Sequence, residues 1–189
     1  DTHIGFAQPA VWYEAHLEAP GFRFYGHHIA GIPFGLLGQN DFCGWGLTMF
    51  ENDDTDFFVE EFDDNGKVKY KGEWVDVVWR KELIKVKGEL DVEIVIPVTP
   101  HGNVINEAID FTEETKPTAL YWVLNQLSNE SLQAAYTLNH ASTFAQAEHA
   151  ASLFSSPGLN VMYADVQGNI AWWAVAKLPI RPAHVASKF

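Results

Sequence analysis

Alternating hydrophobic and polar positions predict β-structure in the first part of the chain. From Val11 to Glu18 every second residue is apolar, which is the period of a half-buried strand. Ala19-Pro20-Gly21 predicts a turn, Phe22 to Tyr25 the return strand of a hairpin, and Gly26 to Pro33 a loop. The two histidines of this loop are adjacent, and adjacent side chains on extended backbone point to opposite faces, which argues against a metal pair.

Strand patterns continue through the middle of the chain. Phe57 to Phe62 and Val68 to Lys71 flank the polar turn Asp63-Asp64-Asn65-Gly66, which predicts a second hairpin. The run Val92 to Val98 continues the β-structure. Ala119 to Leu124 is apolar on both faces, so we expect a central strand that is covered on each side.

Helical signals appear only after these strands. Asn129 is a candidate cap for one helix, and Thr143 with Gln146 forms the sequence of a capping box before another, which Pro157-Gly158 ends. Residues 161–175 then predict a last hairpin, which turns at a polar, glycine-containing segment. The order of elements predicts an α+β fold of antiparallel strands with a few helices.

Composition and charge narrow the class of protein. The 189 residues are 47% apolar and 14% aromatic, enough for a sizeable core, and we expect one domain or most of one. Twenty-five acidic residues against twelve basic ones give a formal charge of −13, which argues against nucleic acid and anionic membranes as partners. The single cysteine, Cys43, has no partner for an internal disulfide.

The candidate chemistry lies between residues 38 and 57. Gly44 and Gly46 flank Trp45, so one large ring can fill space while the bare backbone on either side can be approached closely. Cys43 precedes this segment, and we interpret it as a packed side chain rather than a nucleophile.

A cluster of carboxylates follows. Asp53, Asp54 and Asp56 surround Thr55 in a predicted turn, where side-chain and main-chain oxygens can converge on a hard cation such as calcium. A solvated surface turn is the alternative interpretation of the same residues.

The order of short motifs resembles that of the penicillin acylase family of N-terminal nucleophile hydrolases. The matching motifs, in chain order, are Asp1-Thr2-His3, Gly31-Ile32-Pro33, Gly38-Gln39-Asn40, Trp45-Gly46-Leu47-Thr48, Asp53-Asp54-Thr55-Asp56, Pro100-His101-Gly102 and Ala164-Asp165-Val166-Gln167-Gly168-Asn169-Ile170. Gln39 stands where the family usually has His. The resemblance spans Asp1 to Arg181, and it implies that residues 1–189 form part of the catalytic chain of a four-layer αββα fold.

The resemblance also implies roles for individual residues. His3 matches a position beside the nucleophile that helps to hold the terminal amine or a bridging water. The backbone N–H of Met49 matches an oxyanion donor. Ile4, Leu37 and Leu47 match the wall of an acyl pocket. The nucleophile, a chain-terminal Ser, Thr or Cys whose own α-amino group acts as base, is expected about twenty residues before this sequence begins.

The resemblance further implies a calcium ion bound by the carboxylates of Asp53 and Asp56 and the main-chain oxygen of Thr55, with the other ligands in other segments. The implied partners are a small N-acyl substrate and the remaining segments of the same precursor, and the implied location is the periplasm or the extracellular space. The implied activity is hydrolysis of a linear N-acyl amide bond, of β-lactam, acyl-homoserine lactone or lipopeptide type. His101 is expected to be structural, and residues 1–189 alone are expected to be inactive.

A second interpretation is a non-catalytic β-rich module that binds a ligand or a protein. In that case the acidic turn is solvated and Trp45 is a core residue. The preceding gene sequence distinguishes the two, because only the enzyme requires a processed Ser, Thr or Cys there.

Overall fold

The computed structural model describes residues 4–5, 7–109, 116–126, 128 and 130–183. In chain order its elements are β1 Trp12–Ala19, β2 Phe22–Ile29, β3 Leu37–Asn40, β4 Cys43–Met49, β5 Thr55–Val59, β6 Val68–Tyr70, β7 Glu73–Val75, β8 Val78–Ile84, β9 Val92–Val98, β10 Asn103–Val104, β11 Thr118–Trp122, α1 Val123–Gln126, α2 Ser131–Asn139, α3 Phe144–Leu153, β12 Leu159–Asp165 and β13 Ile170–Val175. The chain divides into two compact units, one of Asp1–Asp53 with Gln126–Phe189 and the other of Asp54–Asn125.

The first unit is a six-stranded antiparallel sheet with helices α2 and α3 packed on one face. Its strand order is β1-β2-β3-β4-β12-β13, so chain segments that are far apart in sequence meet between β4 and β12. The helices contribute mainly alanines to the shared core, which allows the helices to approach the sheet closely. The core residues are Phe24, Cys43, Trp45, Leu47, Ala134, Leu138, Ala141, Ala147, Ala150, Ala151, Phe154, Val161, Tyr163 and Val175.

The second unit contains a five-stranded sheet of order β5-β11-β10-β9-β8 and the separate pair β6-β7. Among the described residues of this unit, Val68, Ala119 and Val123 are buried apolar residues, and Glu60 and Thr99 are buried polar ones. Strand β11 lies between β5 and β10, which confirms the central position of the predicted strand. The predicted end at Leu124 is wrong, because β11 stops at Trp122 and Val123 and Leu124 belong to α1. The α+β class is confirmed as well.

The predicted loop from Gly26 to Pro33 is wrong over its first four residues, because β2 continues to Ile29. Gly26 lies directly opposite Gly38 of β3. A Cβ on Gly26 would approach the Leu37 carbonyl oxygen to 2.1 Å, so glycine here permits close approach of two strands and does not signal a turn. His27 and His28 do point to opposite faces, the first exposed and the second buried.

The predicted hairpin around Asp63-Asp64-Asn65-Gly66 is also wrong in its pairing. The turn forms, but β5 pairs with β11 and β6 with β7, and only the isolated bridge Phe62↔Val68 joins the two flanks. The stronger turn is Lys71-Gly72, where both residues have positive φ, 51° and 89°. This is the backbone of a two-residue type I′ hairpin loop. Lys71-Gly72 was therefore the hairpin signal in the sequence, and the prediction did not use it.

Strand β1 is more exposed than its alternation predicts. Only Trp12 and Ala15 are partly buried along its eight residues, because β1 is the edge of the sheet.

The helix signals are confirmed in part. Thr143 Oγ1 accepts a hydrogen bond from the Gln146 N–H at 3.3 Å, as in a capping box, whereas Gln146 Oε1 accepts from Ser142 N–H. Helix α2 begins after Glu130, which makes no side-chain capping bond, and the proposed cap Asn129 lies outside the described residues. No helix in the described part of the chain is long and apolar enough to cross a membrane.

Candidate active site

Strand β4 ends at Met49, whose backbone N–H is the predicted oxyanion donor. Two hydrogen bonds bracket the β4–β12 ladder: Phe50 N–H donates to the Gly158 carbonyl at 3.1 Å, and Val166 N–H donates to the Phe42 carbonyl at 2.9 Å. Because backbone groups of an antiparallel strand alternate in direction, even-numbered residues of β4 bond to β12 and odd-numbered ones face the β3 side. The Met49 N–H therefore points away from β12.

Strand β3 does not extend along β4 as far as Met49. The two strands pair only at Gly38↔Trp45 and Gln39↔Gly44. The Met49 N–H is thus directed past the paired part of β3, and its side chain is 47% exposed. An oxyanion donor requires a fixed backbone N–H that is aimed away from its own sheet partners, and this strand end has that geometry.

A cleft of about 650 Å³ lies in the first unit. Ile4 and Leu37, two of the three residues predicted to form the acyl-pocket wall, line it together, and Val11, Trp12 and His27 line it as well. The cleft is mainly apolar, with His27 as its ionisable side chain among the described residues. This composition suits an aliphatic or aromatic group.

Leu47, the third predicted wall residue, does not line this cleft. Its side chain is only 7% exposed and lies in the hydrophobic core. The physical reason is the strand period: Leu47 shares a face of β4 with Cys43 and Trp45, and that face is covered by the helices. His3 lies outside the described residues.

Asn40 is a structural residue of this region that sequence reasoning did not single out. Its side-chain oxygen accepts hydrogen bonds from the N–H groups of Phe42 and Cys43 at 2.8 and 2.9 Å. Its Nδ2 donates to the carbonyls of Asn139 and Ala141 at 3.1 and 2.8 Å. One amide therefore fixes the β3–β4 turn and ties it to the end of α2, and the motif Gly38-Gln39-Asn40 was the available signal.

Cys43 is buried beside this turn, which confirms the packing interpretation. Its Sγ lies 3.5 Å from Asn40 Oδ1 and 3.6 Å from the Ala141 carbonyl oxygen. Burial raises the pKa of the thiol, which opposes formation of the nucleophilic thiolate.

The side chains of the acidic turn that the structure describes have partners within the protein. The Asp53 carboxylate forms an ion pair with the Arg181 guanidinium at 3.1 Å, and the same guanidinium donates to the Asp53 carbonyl. Asp54 Oδ1 accepts from the Thr55 hydroxyl, and Asp56 lies within β5. The described residues include no group of three or more His, Cys, Asp or Glu side chains that could hold a metal ion. The three oxygens predicted to bind calcium, from Asp53, Thr55 and Asp56, are fewer than the roughly six to eight that the ion prefers, so further ligands would have to come from other segments.

Two other motif residues have structural contacts. His101 Nδ1 lies 3.1 Å from Glu60 Oε1, and its ring stacks on Phe58 at 4.0 Å. Asp165 accepts hydrogen bonds from the backbone N–H groups of Gln167 and Asn169 and from the Asn169 side chain. These bonds, the one from the Asn169 side chain most of all, lower the pKa of Asp165 below its ordinary value. The Asp165 motif fixes a turn, and the His101 ring packs against residues at the end of β5.

The chain is 29% identical over 192 residues to the acyl-homoserine lactone acylase QuiP of Pseudomonas aeruginosa, with 96% of this chain and 23% of that protein aligned. It is 30% identical over 184 residues to the penicillin acylase 2 proenzyme of Pseudomonas sp. strain SE83, again over 96% of this chain and 23% of the relative. The chain thus spans about a quarter of the length of these relatives.

A solved structure of the thermostable penicillin G acylase from Alcaligenes faecalis matches with a TM-score of 0.81 and 28% identity, over 95% of this chain and 32% of that one. Fold and site together define an α+β protein of antiparallel sheets and packed helices, with an amide directed off the end of β4. The penicillin amidase family model matches residues 1–189, and the chain belongs to that family.

Proposed function

We propose that this chain is part of an acylase that hydrolyses a linear N-acyl amide bond by an N-terminal nucleophile mechanism. Membership of the penicillin amidase family and the acylase names of its relatives support the reaction class. The observation that carries the proposal is the Met49 N–H, which is directed past the end of β3 in the same unit as an apolar cleft lined by Ile4 and Leu37.

In this proposal the Met49 N–H stabilises the oxyanion of the tetrahedral intermediate. A preorganised donor of this kind is worth roughly 10²–10³ in rate. The nucleophile and its base are the hydroxyl or thiol and the α-amino group of a Ser, Thr or Cys that begins the processed chain, in a segment that precedes this sequence. His3 holds that amine or a bridging water, and a second oxyanion donor comes from a segment that follows.

The cleft selects the acyl group rather than the leaving amine. Ile4 and Leu37 line the cleft with aliphatic, uncharged side chains, so an apolar acyl chain is preferred over a charged one. A β-lactam, an acyl-homoserine lactone or a lipopeptide can carry such a chain. Residues 1–189 expressed alone should not turn over any of them, since they supply neither the nucleophile nor the second donor.

The test uses the full-length processed protein and a series of N-acyl substrates of increasing acyl length. Leu37→Trp narrows the cleft and should lower kcat/KM for long acyl chains by ~10-fold or more while sparing short ones, because pocket volume discriminates by roughly this factor for each methylene. The control is Leu83→Ala, a 58% exposed leucine of β8, which should leave the profile unchanged. An unaltered length preference in Leu37→Trp would refute the assignment of the cleft.

An inactive full-length protein with no Ser, Thr or Cys at its processed terminus would favour the binding-module interpretation instead. We place the acylase in the periplasm or outside the cell, on the basis of the family alone.

Calcium stays a prediction for the carboxylates of Asp53 and Asp56 and the main-chain oxygen of Thr55. We expect weak binding, because Arg181 already neutralises the Asp53 carboxylate and calcium prefers roughly six to eight oxygen ligands. Arg181→Gln should tighten calcium binding in a calorimetric titration of the full-length protein. Tight binding that survives Asp53→Ala together with Asp56→Ala would show that the ion binds elsewhere.

A further inference from the structure

The side chain of Asn160 bridges the end of β4 where the Met49 donor lies. Asn160 sits on β12 opposite Thr48. Its Nδ2 donates to the Thr48 hydroxyl at 3.1 Å and to the Met49 carbonyl at 2.9 Å. A single amide group therefore contacts the side chain that precedes the Met49 N–H and the carbonyl that follows it.

Trp172 of β13 fixes which way this amide faces. Its Nε1–H donates to Asn160 Oδ1 at 2.9 Å. An indole N–H can only donate, so the amide oxygen must face Trp172 and the amide nitrogen must face β4. The contacts to Thr48 and Met49 then follow from the indole position.

The carbonyl of Met49 and the N–H of Phe50 belong to one peptide plane, and both ends of it are held. Asn160 binds the carbonyl, and the Gly158 carbonyl accepts from Phe50 N–H at 3.1 Å. The peptide plane that follows Met49 and the Thr48 side chain that precedes it are therefore both held by contacts from β12 and the loop before it. These contacts fix the orientation of the Met49 N–H, although no strand pairs with Met49 on the side to which that N–H points.

We propose that Asn160, oriented by Trp172, is a positioning residue for the oxyanion donor Met49. This inference rests on the proposed acylase function. Asn160 does not touch the substrate; it acts through the backbone of β4, so its loss should lower kcat and leave substrate affinity nearly intact.

The first test is steady-state kinetics on the full-length processed protein. Asn160→Asp keeps the shape of the side chain and the acceptor for Trp172 but removes the donor to Met49. We expect kcat to fall ~10-fold or more, short of the roughly 10³-fold limit for losing a donor altogether, with KM within about twofold. Trp172→Phe should give a smaller fall in the same parameter. Gln167→Glu, a similar amide-to-acid change at an exposed position of the β12–β13 turn, should match wild type.

The second test does not depend on activity. Backbone amide hydrogen exchange should speed up ~10-fold at Phe50 in Asn160→Asp, whereas the Val166 N–H at the other end of the ladder should be unchanged. Unchanged exchange at Phe50, or wild-type kcat in an active protein, would overturn the role of Asn160. A wild-type protein with no acylase activity would instead refute the proposed function. The exchange result would still decide whether Asn160 holds the end of β4.

Discussion

Replacing Trp45 by alanine should remove much of the stability of the first unit. Trp45 is only 6% exposed, its ring lies 5.5 Å from that of Phe24, and its Nε1–H donates to the Leu36 carbonyl at 2.9 Å. The substitution empties this space and leaves the Leu36 carbonyl without its indole donor.

The size of the effect follows from the buried area. A tryptophan buries about 150–250 Å², which at ~25 cal/mol per Å² corresponds to ~4–6 kcal/mol of transfer free energy. The buried alanine side chain regains a small part of this transfer free energy, and the surrounding residues relax into part of the space. We therefore expect a loss of ~3–5 kcal/mol in the free energy of unfolding. Trp45→Phe keeps most of the ring and should cost ~1–3 kcal/mol, mainly for the unsatisfied carbonyl.

Urea unfolding followed by far-ultraviolet circular dichroism measures these differences. With a slope of ~2 kcal/mol per molar urea, a loss of ~4 kcal/mol lowers the midpoint by ~2 M. Phe42→Ala is the control, since this aromatic of the same region is 47% exposed and should lose ~1 kcal/mol or less. If Trp45→Ala cost no more than Phe42→Ala, the assignment of Trp45 to the packed core would be wrong.

Three further outcomes are expected. Burial lowers the pKa of His28 below its ordinary value of 6.5, so just below pH 6.5 the unfolded chain binds more protons than the folded protein. The free energy of unfolding should therefore fall as the pH drops below ~6.5. His28→Leu should abolish this loss, whereas His27→Gln, at the exposed neighbour, should not. The buried Cys43 thiol, with its raised pKa, should resist alkylation at pH 8 in the folded protein and react on unfolding, and rapid reaction without denaturant would contradict its burial. Asn139→Leu should destabilise the protein by ~2–4 kcal/mol in the same urea assay, because the Asn139 amide satisfies both the N–H and the carbonyl of Gly35, and a loss below ~1 kcal/mol would contradict that role.

Local sequence signals predicted the elements that depend on local chemistry. The alternation of β1, the capping box at Thr143 and the glycine-containing turn after Asp165 each depend on residues within a few positions of one another. The family resemblance rested on the same kind of local motif, and it placed Ile4 and Leu37 in what the structure shows to be one cleft.

The sequence by itself therefore determined the α+β class, most strand and helix positions, and the family. Strand partners were decided only by the tertiary structure, because pairing depends on which distant strand offers a matching edge: β5 joins β11, and β4 joins β12. That pairing turns the Met49 N–H outward, brings Asn160 to the end of β4 and covers Leu47 with helices, and none of these three outcomes follows from spacing along the chain. The physical reason is that a strand's period sets which residues share a face, whereas long-range packing decides which face is buried.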